Sequence, residues 1–122
     1  TVLHIQGRDL VLDYTAGDVA KVSFKQLCES ALGSADYLEL ATEFNTLLIT
    51  DIPVLSAEYR NEAKRFVTLI DALYEHKVKV IFSADAAPEH LYTKGDGQFE
   101  FERTVSRLLE MQSADYWHAE HH

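Results

Sequence analysis

Two apolar runs joined by a long amphipathic helix pattern constrain the fold of this chain more than any other feature. The runs lie at about 46–51 and 78–83, and the helix pattern between them covers about 57–76. Consecutive apolar residues are typical of parallel strands that are buried on both faces. The connection is long enough for the crossover that two parallel neighbours require. We therefore expect an α/β fold with a βαβ layer.

The first part of the chain alternates apolar and polar residues and predicts a short antiparallel β element leading into that layer. Residues 2–5 and 9–13 predict a hairpin, and 19–23 predict a third strand. Ser23 and Gln26 have the spacing of a capping box, which predicts a helix start. Ser34 and Ser56 are the expected N-caps of the next two helices. The remaining patterns predict helices at about 24–31, 34–44 and 100–112, the last with Phe101, Val105, Leu108 and Leu109 facing inward.

The length of 122 residues fits one domain, which we divide into a β element at 1–23, an α/β part at 24–117 and a tail at 118–122. The chain begins without Met and almost inside a strand, so we expect it to be a piece of a longer protein. No apolar run is long enough to span a membrane.

Charge and cysteine content narrow the classes of function. The net charge is −9, which argues against nucleic-acid binding because that binding depends on Lys and Arg contacts to phosphates. The single Cys28 excludes an internal disulfide and is typical of a reducing compartment. Its helical, apolar surroundings predict a buried structural thiol.

Asp51 and Asp85 stand at the carboxyl ends of the two predicted parallel strands, the edge where ligands bind in open α/β sheets. Two adjacent carboxylates could hold Mg²⁺ or act as an acid–base pair. The alternative is that each carboxylate accepts backbone N–H bonds in its own loop. The chain contains no phosphate loop of the form G-x-x-x-x-G-K-[ST], so we favour the capping interpretation and predict no metal site.

Arg103 and Arg107 lie one helical turn apart on the last predicted helix, where two like charges repel each other unless an anion is near. One interpretation is that a guanidinium reaches a nucleotide phosphate, in this subunit or a neighbouring one. The other is that Glu100, Glu102 and Glu110 pair with the arginines locally. The sequence leaves both open.

A smaller basic cluster lies on the long predicted helix and consists of Arg60, Lys64 and Arg65. Such a cluster is most often a solvated face, and the alternative is a contact with an acidic partner or a phosphate.

Four strings carry a resemblance to a known family: DYLELATEF, LLITDIPVL, NEAKRFVTLIDALYEHKVKVIFSA and FEFERTVSRLLEMQSADY. Together they resemble the C-terminal part of the ZapE family of P-loop ATPases, which act in bacterial cell division and are similar to the mitochondrial Afg-one-like ATPases. The resemblance implies a parent that binds ATP and Mg²⁺ mainly through an upstream part holding the Walker motifs. It also implies that Arg103 and Arg107 are candidates for a sensor or an arginine finger.

Residues 47–92 also resemble a degenerate copy of the family's upstream catalytic unit. Asp51 stands where a Walker B aspartate would stand, Ile52 replaces the glutamate that orients water, and Asp85 replaces a sensor asparagine. This places Asp51 and Asp85 at cofactor-site-like positions whose catalytic partners have been lost.

From this resemblance we expect the C-terminal domain of an ATPase that couples ATP binding and hydrolysis to remodelling of a protein partner. The implied partner is the tubulin-like GTPase of the division ring, or membrane-protein clients in the mitochondrial relatives. The parent would be cytoplasmic in bacteria, or in the mitochondrial matrix, and a homo-oligomer is compatible with it. We expect the chain alone to be inactive. The alternative is a protein-interaction module without a direct nucleotide role.

Overall fold

The computed structural model describes residues 2–5, 8–11, 14–29, 32–55, 57–86, 90–92 and 98–113. These residues form an α/β fold, as the two apolar runs predict. In this part of the chain, no helix combines the length and apolar character needed to cross a membrane.

The strands form a two-stranded sheet and a four-stranded sheet. In the larger sheet the spatial order follows the chain, from β3 to β6. The strands are β1 (Val2–Ile5), β2 (Arg8–Val11), β3 (Tyr14–Ala16), β4 (Val19–Ser23), β5 (Thr46–Ile52) and β6 (Lys79–Ala84).

The helices follow the strands in the expected alternation, with one 3₁₀ turn before the longest of them. They are α1 (Phe24–Cys28), α2 (Ser34–Glu43), the 3₁₀ turn Ala57–Tyr59, α3 (Arg60–Glu75) and α4 (Gln98–Glu110).

The parallel pairing expected for the two apolar runs is confirmed. β5 and β6 are neighbours in one sheet, with Leu47 opposite Val80 and Ile49 opposite Phe82. The register shifts between Ile49 and Ile52, so β5 carries an irregularity just before its carboxyl end. The β5–α3–β6 segment is therefore the βαβ unit that the sequence predicts.

The antiparallel pairing predicted for the first part of the chain is confirmed, and one of its strands also pairs with the βαβ unit. β1 and β2 pair antiparallel, as do β3 and β4. β4 also pairs parallel with β5, with Ala20 opposite Leu47, so it belongs to the same sheet as the βαβ unit. β3 and β4 thus share one mixed sheet with β5 and β6, whereas β1 and β2 form the separate two-stranded sheet.

One face of the sheet supplies the core. The inward row runs from Ala20 through Leu47 to Val80, all buried. The next row on the opposite face has Ile81, which is 50% exposed, and the exposed Lys21. A strand with one covered and one open face alternates apolar and polar residues, which explains the pattern VAKVS of β4.

Helix starts follow local hydrogen bonds, and one expected cap is wrong. Ser23 and Gln26 form the predicted capping box of α1, with Ser23 Oγ accepting from the Gln26 N–H at 3.2 Å. The N-cap of α2 is Gly33, not Ser34, which is the first helical residue. Asp36 accepts from the Gly33 N–H at 2.8 Å and thereby satisfies the group that a capping box would satisfy. Ser56, the third expected cap, lies outside the described residues.

α3 ends in a Schellman motif. The Val78 N–H donates to the Leu73 carbonyl at 2.9 Å, and the Lys77 N–H donates to the Tyr74 carbonyl at 3.2 Å. Lys77 takes the left-handed position of this motif, with φ of 57°. A glycine would hold that position without steric cost.

α4 begins two residues earlier than expected and faces the core differently. Phe101 and Leu108 are buried as predicted, and Val105 is half-buried. The prediction for Leu109 is wrong, because its side chain is 50% exposed, whereas Thr104 is buried. Thr104 Oγ1 donates to the Glu100 carbonyl, so the buried hydroxyl has a partner on its own helix.

Candidate functional site

Aromatic side chains hold α4 against α3 and so position the arginines of α4. The rings of Phe66 and Phe101 stack with their centroids 5.9 Å apart. Tyr92 meets Phe101 edge-on at 5.3 Å. All three side chains are buried, so the spacing between the two helices is set by the core rather than by surface charges.

One carboxylate on α3 receives both arginines of α4. Asp71 Oδ2 accepts from Arg103 Nη2 at 3.3 Å. Asp71 Oδ1 accepts from Arg107 Nη1. Each guanidinium thus approaches a different oxygen of the same group.

Tyr74, one turn after Asp71 on α3, completes this arrangement. The guanidinium carbon of Arg107 lies 4.8 Å from the centre of the Tyr74 ring, within the range of a cation–π contact. The Tyr74 hydroxyl donates to Glu110 Oε2. That hydrogen bond raises the pKa of Tyr74. We call Asp71, Tyr74, Arg103, Arg107 and Glu110 the arginine cluster.

The two arginines differ in how firmly they are held. The side chain of Arg103 is 56% exposed, whereas that of Arg107 is 22% exposed. Arg107 contacts both a carboxylate and an aromatic face, and Arg103 contacts the carboxylate alone among the described residues. Arg107 is therefore the anchored member of the pair and Arg103 the accessible one.

The anion that the arginine pair requires comes from another helix. The sequence pattern suggested Glu100, Glu102 and Glu110 as local partners, but the structure pairs both arginines with Asp71. Glu110 accepts from Tyr74 instead. Asp71 and Tyr74 escaped prediction because their contact with α4 depends on helix packing. The available signal was a carboxylate beside the apolar stripe of α3.

Asp51 and Asp85 lie at the same edge of the sheet, at the carboxyl ends of β5 and β6. Asp51 has a left-handed backbone with φ of 59°, a conformation that Asp tolerates better than most residues. Its N–H donates to Ser83 Oγ at 3.1 Å, and the Asp85 N–H donates to the Ile52 carbonyl at 2.9 Å. Both side chains are exposed.

These contacts give the two aspartates a backbone role in joining the strand ends. In the part of the chain that the structure describes, no three His, Cys, Asp or Glu side chains group together as a metal site would require. Mg²⁺ is usually held by one or two carboxylates together with substrate phosphates. The described residues at this edge therefore do not fit a self-sufficient Mg²⁺ site, whereas the two guanidiniums of the arginine cluster do fit phosphate oxygens.

The smaller basic cluster on α3 is partly structural. Arg65 Nη1 donates to the Cys28 carbonyl at 3.0 Å and lies 3.9 Å from Glu62 Oε1. Because Cys28 is the last residue of α1, this cation satisfies a carbonyl at a helix C-terminus. Arg65 is thus engaged within the fold rather than presented to a partner.

Cys28 has the environment of an inert thiol. Its side chain is fully buried, and this burial raises the pKa of the thiol well above its ordinary value of 9.0. A nucleophilic cysteine needs a lowered pKa and solvent access. The neighbouring Tyr37 hydroxyl donates to the Leu27 carbonyl at 2.7 Å, so this buried hydroxyl also has a hydrogen-bond partner.

Comparison with known proteins relates the chain to one family. The family model described as AFG1-like ATPase matches residues 1–120. The Escherichia coli K12 "Cell division protein ZapE" is 38% identical over 119 residues, covering 98% of this chain and 32% of that protein. The zebrafish (Danio rerio) "Lactation elevated protein 1 homolog B" is 37% identical over 148 residues, covering 95% of this chain and 29% of that protein.

A relative from Schizosaccharomyces pombe, "Uncharacterized protein C115.02c", is 29% identical and is covered to 32% of its length. The chain thus spans about a third of the length of these relatives. No solved structure matches the chain.

Proposed function

Because the chain belongs to the AFG1-like ATPase family, we propose that it is the part of an ATPase that senses bound nucleotide through Arg103 and Arg107. The family relationship implies nucleotide binding by the protein as a whole. The finer proposal concerns which residues of this chain take part. We infer that Arg103 contacts a phosphate group, while Arg107 stays anchored beside Asp71 and Tyr74.

The observation that carries the proposal is the convergence of both guanidiniums on the single carboxylate of Asp71. A carboxylate and a phosphate offer similar acceptor geometry to arginine, which binds both through paired N–H donors. An arginine that meets the transferred phosphate speeds ATP or GTP hydrolysis by about 10³–10⁵-fold. Such an arginine can act on the nucleotide of its own subunit or of a neighbouring one, as in a homo-oligomer.

The residues that grip the β- and γ-phosphates and Mg²⁺ would come from the rest of the parent. A phosphate loop sequence does not occur among these 122 residues. We therefore propose that the chain hydrolyses no ATP by itself and acts as the C-terminal domain of a P-loop ATPase. Mg²⁺ chemistry would belong to the parent's nucleotide site, and Asp51 and Asp85 would contribute to the shape of the sheet edge rather than to metal binding.

We further propose that the parent couples nucleotide hydrolysis to remodelling of a protein partner. One relative is named as a cell division protein, which supports a role in bacterial division. The partner would then be the tubulin-like GTPase of the division ring and the location the bacterial cytoplasm. Membrane-protein clients in the mitochondrial matrix are the corresponding alternative.

Arginine substitutions in the full-length protein test the nucleotide role. We expect Arg103→Ala to lower kcat for ATP hydrolysis by at least about 10³-fold while ATP affinity changes little, because the contact forms with the transferred phosphate. Lys25→Ala is the matched control, since it removes the same charge from an exposed helical position outside both basic clusters. Turnover that is equal in Arg103→Ala and wild type would contradict the proposal.

The second candidate function is a protein-interaction module without a nucleotide role. Phe99, one turn before Arg103 on α4, is 84% exposed and would supply an apolar contact to such a partner. In this case Phe99→Ser and Arg103→Ala would weaken partner binding and leave ATP turnover unchanged. Measuring partner binding and turnover in the same variants separates the two functions.

A further inference from the structure

We propose that Asp71 is the resident anion of an exchangeable phosphate site, from which Arg103 moves to a phosphate oxyanion while Arg107 stays in place. The inference rests on the proposed function, and it adds Asp71 as a positioning residue that competes with phosphate for Arg103. The site consists of Asp71, Arg103 and Arg107, with Tyr74 as the support of Arg107.

The N–H donors of the site leave room for a second anion. Two guanidiniums share one carboxylate, and the nearby Glu110 accepts from the Tyr74 hydroxyl rather than from either arginine. A guanidinium carries five N–H donors, of which the contact with Asp71 occupies one on each arginine. A phosphate group carries a charge of about −1.5 to −2 at pH 7 and offers several acceptor oxygens, so it can compete with the single contact between Asp71 and Arg103.

The two arginines have unequal freedom to leave Asp71. Arg103 makes a contact of 3.3 Å to Asp71 and has a side chain that is 56% exposed. An ion pair this exposed contributes little free energy, so it exchanges readily for a better anion. Arg107 is 22% exposed and lies over the Tyr74 ring, which holds it beside Asp71 when Arg103 departs.

The competition makes a prediction that a purely structural ion pair does not make. Removing the charge of Asp71 should strengthen binding of a phosphate probe, because Arg103 no longer has to break an ion pair first. The ion pair that is lost is of the exposed kind, so we expect about two- to five-fold tighter binding. A structural ion pair predicts lower stability with no gain in phosphate binding.

The test is a titration of the 122-residue chain with inorganic pyrophosphate at low ionic strength and neutral pH. NMR signals of the arginine side chains report the binding. We expect Asp71→Asn to bind pyrophosphate two- to five-fold more tightly than wild type. Asp71→Glu restores the carboxylate and should return the affinity towards the wild-type value. Arg103→Gln removes the guanidinium that moves to phosphate. It should therefore abolish the difference in pyrophosphate affinity between these variants.

The control is Glu102→Gln. It changes the net charge of the chain by the same amount as Asp71→Asn, at an exposed position on α4 outside the arginine cluster. An equal gain in Glu102→Gln would show a general charge effect and overturn the inference. Unchanged or weaker binding in Asp71→Asn, with the fold retained by circular dichroism, would also overturn it.

The same variants in the full-length protein separate this inference from the proposed function. If Arg103→Ala stops ATP turnover but Asp71→Asn leaves pyrophosphate binding unchanged, the nucleotide role stands and the exchange is refuted. If Asp71→Asn strengthens pyrophosphate binding but Arg103→Ala leaves ATP turnover intact, the phosphate site stands and its role in ATP hydrolysis is refuted.

Discussion

Cys28 and Tyr37 show how single buried side chains limit the chemistry that the chain can perform. Both are buried in the core, and burial is the largest cause of the raised pKa of each side chain. The Cys28 thiol therefore stays protonated in the folded state at pH values where an exposed thiol ionises. The sequence predicted a buried structural thiol at this position, and the structure confirms it.

This raised pKa predicts a loss of stability in alkaline solution. The folded state keeps the thiol proton, whereas the unfolded state releases it above its ordinary pKa of 9.0. The contribution of Cys28 is therefore constant well below pH 9 and falls as the pH rises through 9, by roughly 1 kcal/mol at pH 10. Urea denaturation of wild type and Cys28→Ala at pH 7–10 measures it.

The comparison depends on the slope against pH, because Cys28→Ala also leaves a small cavity that costs stability equally at every pH. Tyr37 is retained in both proteins, but Cys28 adds to the burial that raises the pKa of Tyr37, so the slopes are compared below its ordinary pKa of 10.0, where Tyr37 contributes little. Parallel slopes for wild type and Cys28→Ala would contradict the assigned burial of the thiol.

At the scale of single elements, the sequence predicts some helix N-caps correctly and others wrongly. Ser23 and Gln26 were correctly assigned because both halves of a capping box are visible in the sequence. Ser34 was assigned wrongly because Gly33 takes the N-cap and Asp36 supplies the hydrogen bond from within the helix. A side chain in the first helical turn can accept a hydrogen bond from the N-cap N–H without being the N-cap residue itself.

Alanine substitutions of the two serines test these assignments. Ser23→Ala should lower the free energy of unfolding by about 1 kcal/mol, because the Gln26 N–H loses its acceptor. Ser34→Ala should be neutral or slightly stabilising, because Ser34 is an exposed helical residue and Ala has the higher helix propensity. Chemical denaturation of both variants gives the two values, and equal losses would contradict the assignment of Gly33 as N-cap.

The end of α3 provides a second test at the level of the element. Lys77 holds a left-handed backbone and its amino group lies 4.8 Å from the centre of the Tyr74 ring. Lys77→Gly and Lys77→Ala both remove that cation–π contact, so their difference isolates the backbone. We expect Lys77→Gly to be more stable than Lys77→Ala by about 1 kcal/mol, because Ala resists positive φ.

Thermal and urea denaturation of the two Lys77 variants measure this difference. Wild type serves as the reference for the ring contact itself. An alanine variant as stable as the glycine variant would show that the Schellman geometry at the end of α3 is incorrect.

For the whole molecule, the sequence predicted the βαβ unit well and the full sheet less well. The runs that form β5 and β6 are continuously apolar, which predicts parallel strands buried on both faces. The parallel pairing is confirmed, but burial on both faces is not, because β6 is an edge strand of the described sheet and its Ile81 is 50% exposed. β4 was placed in the antiparallel element because it alternates, with Lys21 exposed between the buried Ala20 and Val22. An alternating strand can equally join a parallel sheet whose second face is open, and the sequence alone does not distinguish the two.

The candidate site shows the same limit. The sequence reveals the pair Arg103 and Arg107 because two like charges one helical turn apart repel each other and need a nearby anion. Asp71 lies 32 residues before Arg103 in the chain and reaches it through the packing of α3 on α4. The residue types were visible in the sequence, but their distance in space required the fold.

The central claim is that Arg103 of this chain contacts a nucleotide phosphate in the complete ATPase. A structure of the full-length protein with a non-hydrolysable ATP analogue measures this contact most directly. We predict a guanidinium nitrogen of Arg103 within about 3.2 Å of a phosphate oxygen, with its contact to Asp71 broken and Arg107 still beside Tyr74. A bound nucleotide with Arg103 still paired to Asp71, and no arginine of α4 at a phosphate in any subunit, would contradict the claim.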